Sequence, residues 1–327
     1  MVVLLVLGLQ GSPKKKGSSD YLLTAFMQAV SDLGADVHIL DIPRANIRPC
    51  IGCGHCEEKG VCVIDDDEMA TSVYAKLRQA EVIVAASPVF FYSVTAQLKT
   101  MIDRTQALWS RKYRFKLVDP MSSTRKGFIL SMGGSRGKNL FTCVKLVTNY
   151  FFDAIQAAPS GSLTYPAIET PDDFHTVPHL QSDIDDAAKN LLSALLARQR
   201  VLVLGQNNDI RSQMTAALIQ YHAGTRFQVL SAGTESSQEI NPEVLSTMAE
   251  TGLDMAFRTP YSINSTRTVT PHHIIGMSSD IQIPAHRQAR VWMWDLPDPH
   301  AEPTVPIQVL RQQIQDNVDD FIKMNEH

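Results

Sequence analysis

Short unbroken apolar runs alternate along the chain with glycine- or serine-bearing loops and with stretches whose apolar residues recur every three to four positions. The first run, Val2 to Leu7, reads as a strand buried on both faces. It empties into the loop Gln10-Gly11-Ser12-Pro13-Lys14-Lys15-Lys16-Gly17-Ser18-Ser19. Asp20 to Gly34 has helical spacing at Leu22, Leu23, Phe26, Val30 and Leu33 and ends on glycine. Val37 to Ile42 is a second strand, and residues 43 to 67 form a long loop. Glu68 to Gln79 is helical, Glu81 to Ala86 is a third strand, and the loop Ser87-Pro88-Val89-Phe90-Phe91-Tyr92-Ser93 leads to a helix from Thr95 to Leu108. Gly127 to Met132 is a fourth strand ending in Gly133-Gly134-Ser135-Arg136-Gly137, Leu163 to Ile168 a weaker fifth, and Asp183 to Arg198 a periodic closing helix.

A second series starts at Val201. Val201 to Leu204 is a strand, Gly205 to Ser212 a loop, and a helix follows to His222. A strand from Phe227 to Leu230, a helix over 242 to 252, strands over His273 to Met277 and Ala289 to Trp294, and a helix from Val305 to Met324 complete it. Strand and helix alternate in both series, which predicts two parallel α/β domains, 1–198 and 199–327, the first a doubly wound sheet.

Parallel strands place the loops after strands one, three and four at one sheet edge. The first loop has the composition of a phosphate cradle: glycines, and Ser12, Ser18 and Ser19 at a helix N-terminus whose dipole favours an anion. Lys14 to Lys16 read as solvated surface, with contact to the anion by one of them as the alternative. A flat ring attached to that phosphate would lie between Phe90-Phe91-Tyr92 and Gly133-Gly134, where backbone and stacking grip it. Core packing is the competing reading for Phe90 and Phe91.

The 327 residues are 44% hydrophobic, enough for two cores, and the net charge of -4 gives no footprint for nucleic acid or an anionic membrane. The apolar start lacks a preceding basic region and is expected to be a core strand rather than a signal peptide; no stretch reads as a membrane span. Four of the five cysteines fall within thirteen positions. That crowding favours a metal or redox site in a reducing compartment, and a cytoplasmic protein, over a disulfide framework.

Gly11-Ser12-Pro13 with Gly17-Ser18-Ser19, Ser87-Pro88-Val89-Phe90-Phe91, and Leu98-Lys99-Thr100-Met101-Ile102-Asp103-Arg104 resemble the signature set of the flavodoxin-like NADPH-dependent FMN reductase family over roughly residues 1 to 198. The resemblance implies FMN with its phosphate on the 10–19 loop and its ring beside 87–92 and 132–137, NAD(P)H as co-substrate, and a homodimer or homotetramer. Asp103 and Arg104 are read as an ion pair fixing their helix.

Cys50-x2-Cys53-x2-Cys56-x5-Cys62 can wrap four thiolates around one centre, with Gly52, Gly54 and Gly60 supplying backbone freedom. The spacing is similar to that of iron-sulfur flavoproteins, which implies a [4Fe-4S] cluster on these four residues. Zinc, a reversible dithiol and free thiols remain open. A cluster on the loop after strand two would share the sheet edge of the flavin. Cys143 is expected to be a small core residue.

The second series resembles the low-molecular-weight protein tyrosine phosphatase and arsenate reductase fold, through the strand before Gly205, Asn208, Arg211-Ser212, Ser231-Ala232-Gly233-Thr234 and Asp298-Pro299. The family's nucleophilic cysteine is replaced by Gly205, which has no side chain to attack phosphorus or arsenic. The surviving elements imply a non-catalytic anion cradle of loop amides, Asn208, Arg211 and Ser212. His272 and His273 read as ordinary loop and strand residues.

These observations point to an FMN-dependent NAD(P)H oxidoreductase or electron-transfer flavoprotein, probed against a small-molecule acceptor or a redox protein, with the cofactor carrying the chemistry and no side chain nominated as catalytic. The alternative is a redox or oxyanion sensor or docking protein that uses the phosphatase-like half to bind an anion.

Overall fold

The computed structural model describes residues 4–266, 270–283, 289–301 and 304–325, so Val2 and Val3 of the opening run lie outside the described residues. The chain divides into two compact units. The first comprises residues 4–116 and 124–196, and the second residues 117–123 and 197–327.

The first unit contains strands β1 (Leu5–Gln10), β2 (Asp36–Asp41), β3 (Val82–Pro88), β4 (Lys126–Gly133) and β5 (Ala158–Pro166). Its helices are α1 (Ser18–Asp32), α2 (His55–Lys59), α3 (Tyr74–Gln79), α4 (Ala96–Arg104), α5 (Gln106–Tyr113), α6 (Thr142–Ala154) and α7 (Leu180–Leu196). All five strands are parallel, in the order β2-β1-β3-β4-β5. The central strands are covered on both faces, so Val82 to Ala86 can be apolar at every position and each is buried. On one face α1 and α7 close over the sheet through Leu22, Leu23, Phe26, Ile184, Ala188 and Leu192, with Phe26 stacked on Phe128 at 5.0 Å.

Two helical stretches differ from the periodicity. The stretch 68–79 begins as a wide π turn, Met69–Val73, before becoming α3. Asp67 organises its start by accepting from Ala70 N at 3.2 Å, while the Thr71 hydroxyl donates to the Asp67 carbonyl at 3.1 Å. The stretch 95–108 breaks at Thr105, whose hydroxyl donates to Ile102 O at 2.6 Å. That bond competes with helix continuation and splits α4 from α5. The weaker fifth strand expected over Leu163 to Ile168 is instead Ala158–Pro166, and its ladder with β4 shifts register between Gly127 and Ile129. Gly161 has φ of +125°, and a Cβ there would meet the Phe128 ring at 2.8 Å.

The 43–67 loop is tied down by one buried ion pair. Arg104 at the end of α4 donates from Nη1 to Asp67 at 2.6 Å and to Arg48 O at 2.9 Å, and from Nη2 to Ile64 O at 2.9 Å. Both charged side chains are fully buried. The expected Asp103–Arg104 pairing is therefore replaced by two pairs: Arg104 with Asp67, and Asp103 with Lys99 one helical turn back at 2.6 Å.

The second unit has strands β6 (Gln199–Gly205), β7 (Phe227–Gly233), β8 (His273–Gly276) and β9 (Arg290–Met293), parallel in the order β7-β6-β8-β9. Its helices are α8 (Arg211–Ala223), α9 (Pro242–Ala249) and α10 (Ile307–Met324). The 117–123 segment joins it through Val118 N to Gly252 O at 2.7 Å and Asp254 N to Val118 O at 2.8 Å. His273 is a core histidine packed edge-on to Phe227 and Phe321. Burial, followed by the Arg290 and His272 charges, lowers its pKa, and the neutral ring bridges Trp292 Nε1 and Gln199 Oε1.

A Cβ at Gly127 would stand 2.4–2.6 Å from the buried Phe152 ring. Gly127→Ala is therefore expected to destabilise the first unit by roughly 1–3 kcal/mol, read from urea unfolding, and an unchanged midpoint would contradict that packing.

Burial by itself raises the Asp67 carboxyl, but the Arg104 guanidinium and the Arg48 and Ala70 N–H groups outweigh it and hold it below its ordinary 3.8. A carboxyl depressed in the fold contributes its stability in full above the unfolded value of about 3.9, and that contribution is lost as pH falls through the lower folded value. Asp67→Asn is expected to cost roughly 3–5 kcal/mol at neutral pH and to flatten the loss of stability below about pH 4, measured by urea unfolding across that range.

Candidate functional site

At the carboxyl edge of the first sheet, β1 ends at Gln10 and the chain turns into α1. Gly11 N donates to Ala86 O at 2.8 Å, and a Cβ on Gly11 would lie 2.8 Å from that same oxygen and 3.0 Å from Leu98. The glycine thus lets β1 close against β3 and α4. The Thr95 hydroxyl donates to Gly11 O at 2.5 Å and accepts from Leu98 N at 3.3 Å, locking the loop to the N-cap of α4. Ser12 is held by its N–H to Gln10 Oε1 at 3.1 Å, and its hydroxyl accepts from Lys14 N at 3.3 Å. Pro13 and Lys14 to Lys16 are exposed.

Ser18 and Ser19 are buried in the first turn of α1, whose N-cap is Gly17 and which has no capping side chain. The Ser19 hydroxyl lies 3.0 Å from the Met132 sulfur on β4. The Ser18 Oγ is buried with no hydrogen-bond partner. A buried hydroxyl left alone beside uncapped helix N–H groups suits an anion with several acceptor oxygens, so these residues fit a phosphate.

The third loop meets the fourth: Val89 N donates to Met132 O at 2.8 Å and the Ser131 hydroxyl donates to Ser87 O at 2.8 Å. The Ser87 hydroxyl is taken up within the loop, accepting from Thr95 N and donating to Pro88 O. Phe90 and Ser93 exchange both backbone hydrogen bonds, closing a tight turn whose middle residues, Phe91 and Tyr92, have φ of +48° and +61°. Two consecutive bulky residues in the left-handed region carry strain of about 1–3 kcal/mol each. Core packing is not what offsets it, because Phe90 and Tyr92 are about half exposed and Phe91 is fully exposed. Gly133 packs against Val89 and Leu140, while a Cβ on Gly134 would enter the Glu169 side chain at 2.6 Å.

Cys50, Cys53, Cys56 and Cys62 all line one cavity of about 390 Å³ together with Asp103, Arg104, Gln106 and Ala107. They are free thiols, and among the described residues no three His, Cys, Asp or Glu side chains are gathered as a metal ion requires. Gly52, Gly54 and Gly60 have φ of +66°, +75° and +70°, so each turn of the loop uses a conformation that glycine adopts freely. Burial pushes the Cys56 thiol up; the nearby Ser110 hydroxyl opposes this, and Cys62 and Cys50 add to it. Four soft sulfur donors on one cavity, with the buried Arg104 cation at its wall, are a donor set that fits an iron-sulfur cluster.

The cavity does not sit where the loop's origin after β2 suggested. It lies at the C-terminal end of α4, whereas Thr95 at the N-terminal end touches the phosphate loop. Nine helical residues, about 13 Å, separate the two. Cys143 is exposed on α6 rather than in the core.

In the second unit, Asn208, Arg211 and Ser212 come together around Gly205 in a recess of about 10 Å³. Asn208 has φ of +55° and its side-chain oxygen accepts from the Ser212 hydroxyl at 2.9 Å. Arg211 donates to Asp298 at 2.6 Å and to Leu296 O at 2.7 Å, so its guanidinium is engaged inside the unit. Asp209, paired with His300 at 2.9 Å, and Asp298 also line the recess.

Thr95 and Ser110 were not singled out from the sequence, and Asp67 figured there only as the end of the Cys62-Val63-Ile64-Asp65-Asp66-Asp67 element, a structural turn or part of the cluster signature. Thr95 carries a visible signal, a threonine immediately before a helical run. Ser110 carries none, and nothing in the sequence pairs Asp67 with Arg104, because these roles come from contacts across tens of residues.

The model of the NADPH-dependent FMN reductase family matches residues 4–162. An iron-sulfur flavoprotein of Methanocaldococcus jannaschii is 31% identical over 146 residues, 45% of this chain and 70% of that protein. One of Methanosarcina thermophila is 32% identical over 131 residues, 40% of this chain and 64% of that protein. Among solved structures, an arsenate reductase in its phosphate-binding state covers 38% of this chain and 98% of its own at a TM-score of 0.36 and 23% identity. With the serine-bearing loop after β1, the aromatic turn and the four-thiol cavity on one flavodoxin-like unit, the chain belongs to the iron-sulfur flavoprotein family.

Proposed function

We propose that the first unit binds FMN non-covalently at the carboxyl edge of its sheet and works as an NAD(P)H-dependent oxidoreductase or electron-transfer flavoprotein, with Cys50, Cys53, Cys56 and Cys62 as ligands of a [4Fe-4S] cluster. The observation that carries the reading is the partnerless Ser18 hydroxyl at the uncapped N-terminus of α1. Ser18, Ser19 and the α1 N–H groups would hold the phosphate, and Ser12 shapes the turn that presents them. Pro88 to Tyr92 and the Gly133-Gly134 backbone would flank the ring, with the strained Phe91-Tyr92 turn offering aromatic faces.

When bound, the flavin supplies two-electron hydride chemistry and the cluster one-electron chemistry, so the protein's task is positioning. Arg104 keeps the cysteine loop on α4 through Asp67, and Thr95 keeps the other end of that helix on the phosphate loop. Both proposed centres are thereby referenced to one rigid element. The proposed acceptor is a small molecule or a redox protein, and the proposed assembly a homodimer or homotetramer.

Anaerobic purification with flavin, iron and sulfide quantification tests the assignment. The expected result is a yellow-brown protein with about one FMN and roughly four iron and four sulfide per chain. Colourless protein would overturn the whole reading, and yellow protein without iron would overturn its cluster part. Ser18→Ala is expected to weaken FMN binding by about 1.5–3 kcal/mol, roughly 10- to 150-fold in Kd by flavin fluorescence titration. An unchanged Kd would remove the phosphate from this loop.

A further inference from the structure

The wall of the four-thiol cavity contains polar hydrogens that the protein leaves unused. Arg104 lines the cavity, is fully buried, and directs both terminal nitrogens to Asp67 and to the carbonyls of Arg48 and Ile64. Its Nε is buried with no hydrogen-bond partner. On the next helix Ser110, also fully buried, has its hydroxyl beside the Cys56 thiol, and no oxygen or nitrogen of the protein partners it. Buried donors are nearly always paired, and leaving one unpaired costs about 1–3 kcal/mol. An unpaired Nε–H and a hydroxyl that faces only a thiol, approaching the same set of sulfurs from α4 and α5, point to acceptors that form when those sulfurs close around a bound group.

Resting on the cluster reading above, we propose that the Arg104 Nε–H and the Ser110 hydroxyl are donors to the cysteine sulfurs of the bound cluster and hold its reduction potential up. An electron entering the cluster adds negative charge to the sulfurs without making or breaking a bond. Donors and a fixed cation beside those sulfurs stabilise the reduced form more than the oxidised one, so removing them lowers the potential. Asp67 balances the Arg104 charge on the side away from Nε, and its two-point grip fixes the plane of the guanidinium. Arg104 and Ser110 are thus positioning and tuning residues.

The test is a dithionite titration of the full-length, anaerobically purified protein, followed by electron paramagnetic resonance, after iron and sulfide have been quantified. Ser110→Ala removes one oxygen and leaves the Asp67–Arg104 pair intact. It is expected to lower the midpoint potential by about 59 mV, a tenfold change in a one-electron equilibrium, with iron content unchanged. Arg104→Lys, which keeps the charge but lacks the planar fork, is expected to lower it as well. If that variant loses its iron, the Ser110→Ala value decides. A Ser110→Ala potential equal to that of the wild type, with the cluster fully loaded, overturns the inference and leaves the cluster reading standing. A wild-type protein without iron and sulfide overturns both.

Discussion

A sheet whose five strands all run one way has one end at which every strand gives out, and the first unit is shaped by that constraint. β1, β3 and β4 must release their chains at the same edge, so the loops beginning at Gly11, Val89 and Gly134 meet there whatever their sequences. Close packing then fixes their separation. Gly11 lies against Ala86 and Leu98, Val89 is hydrogen-bonded to Met132, and the Ser19 hydroxyl reaches the Met132 sulfur. The proposed phosphate loop and the aromatic turn are held by the same contacts that close the core.

The cysteine loop obeys a different rule. It contributes no strand, its longest regular piece is the five-residue α2, and its glycines leave it conformationally free. What orders it is the Arg104–Asp67 pair, a charge interaction fully withdrawn from water. Such a pair has a desolvation cost that its Coulomb attraction offsets only with good geometry and further hydrogen bonds. Arg48 O, Ile64 O and the Arg48 and Ala70 N–H groups supply them. One helix, α4, therefore carries the proposed phosphate loop at its start and the cysteine loop at its end.

Much of this was legible in the sequence. The unbroken apolar runs marked the central strands β1, β3, β4 and β6, since a strand covered on both faces needs no polar alternation, and the glycine-serine loops marked the edge where they end; the start of β5, in the polar stretch from Ala158, was not legible in this way. The break at Thr105 was not legible, because a single side-chain hydrogen bond to Ile102 decides it within an otherwise helical pattern. Asp67 closed the Cys62-Val63-Ile64-Asp65-Asp66-Asp67 element without distinction from Asp65 and Asp66, and only the partner arriving from α4 sets it apart. Phe90 and Phe91 were ambiguous between core and ligand because composition does not reveal exposure or backbone strain; their exposure, at a turn whose Phe91 and Tyr92 are left-handed, removes the core reading. In the second unit the convergence of Asn208, Arg211 and Ser212 near Gly205 was legible, whereas the capture of Arg211 by Asp298, eighty-seven positions away, was not.

The most direct test of the central claim, that the α1 N-terminus was shaped for the phosphate of a flavin, is a crystal structure of the protein grown with FMN. The account predicts the phosphate within hydrogen-bond distance of Ser18 Oγ and the first N–H groups of α1, with the ring between the Phe90–Tyr92 turn and Gly133-Gly134. A flavin phosphate bound anywhere else, with Ser18 still unpartnered, would contradict it.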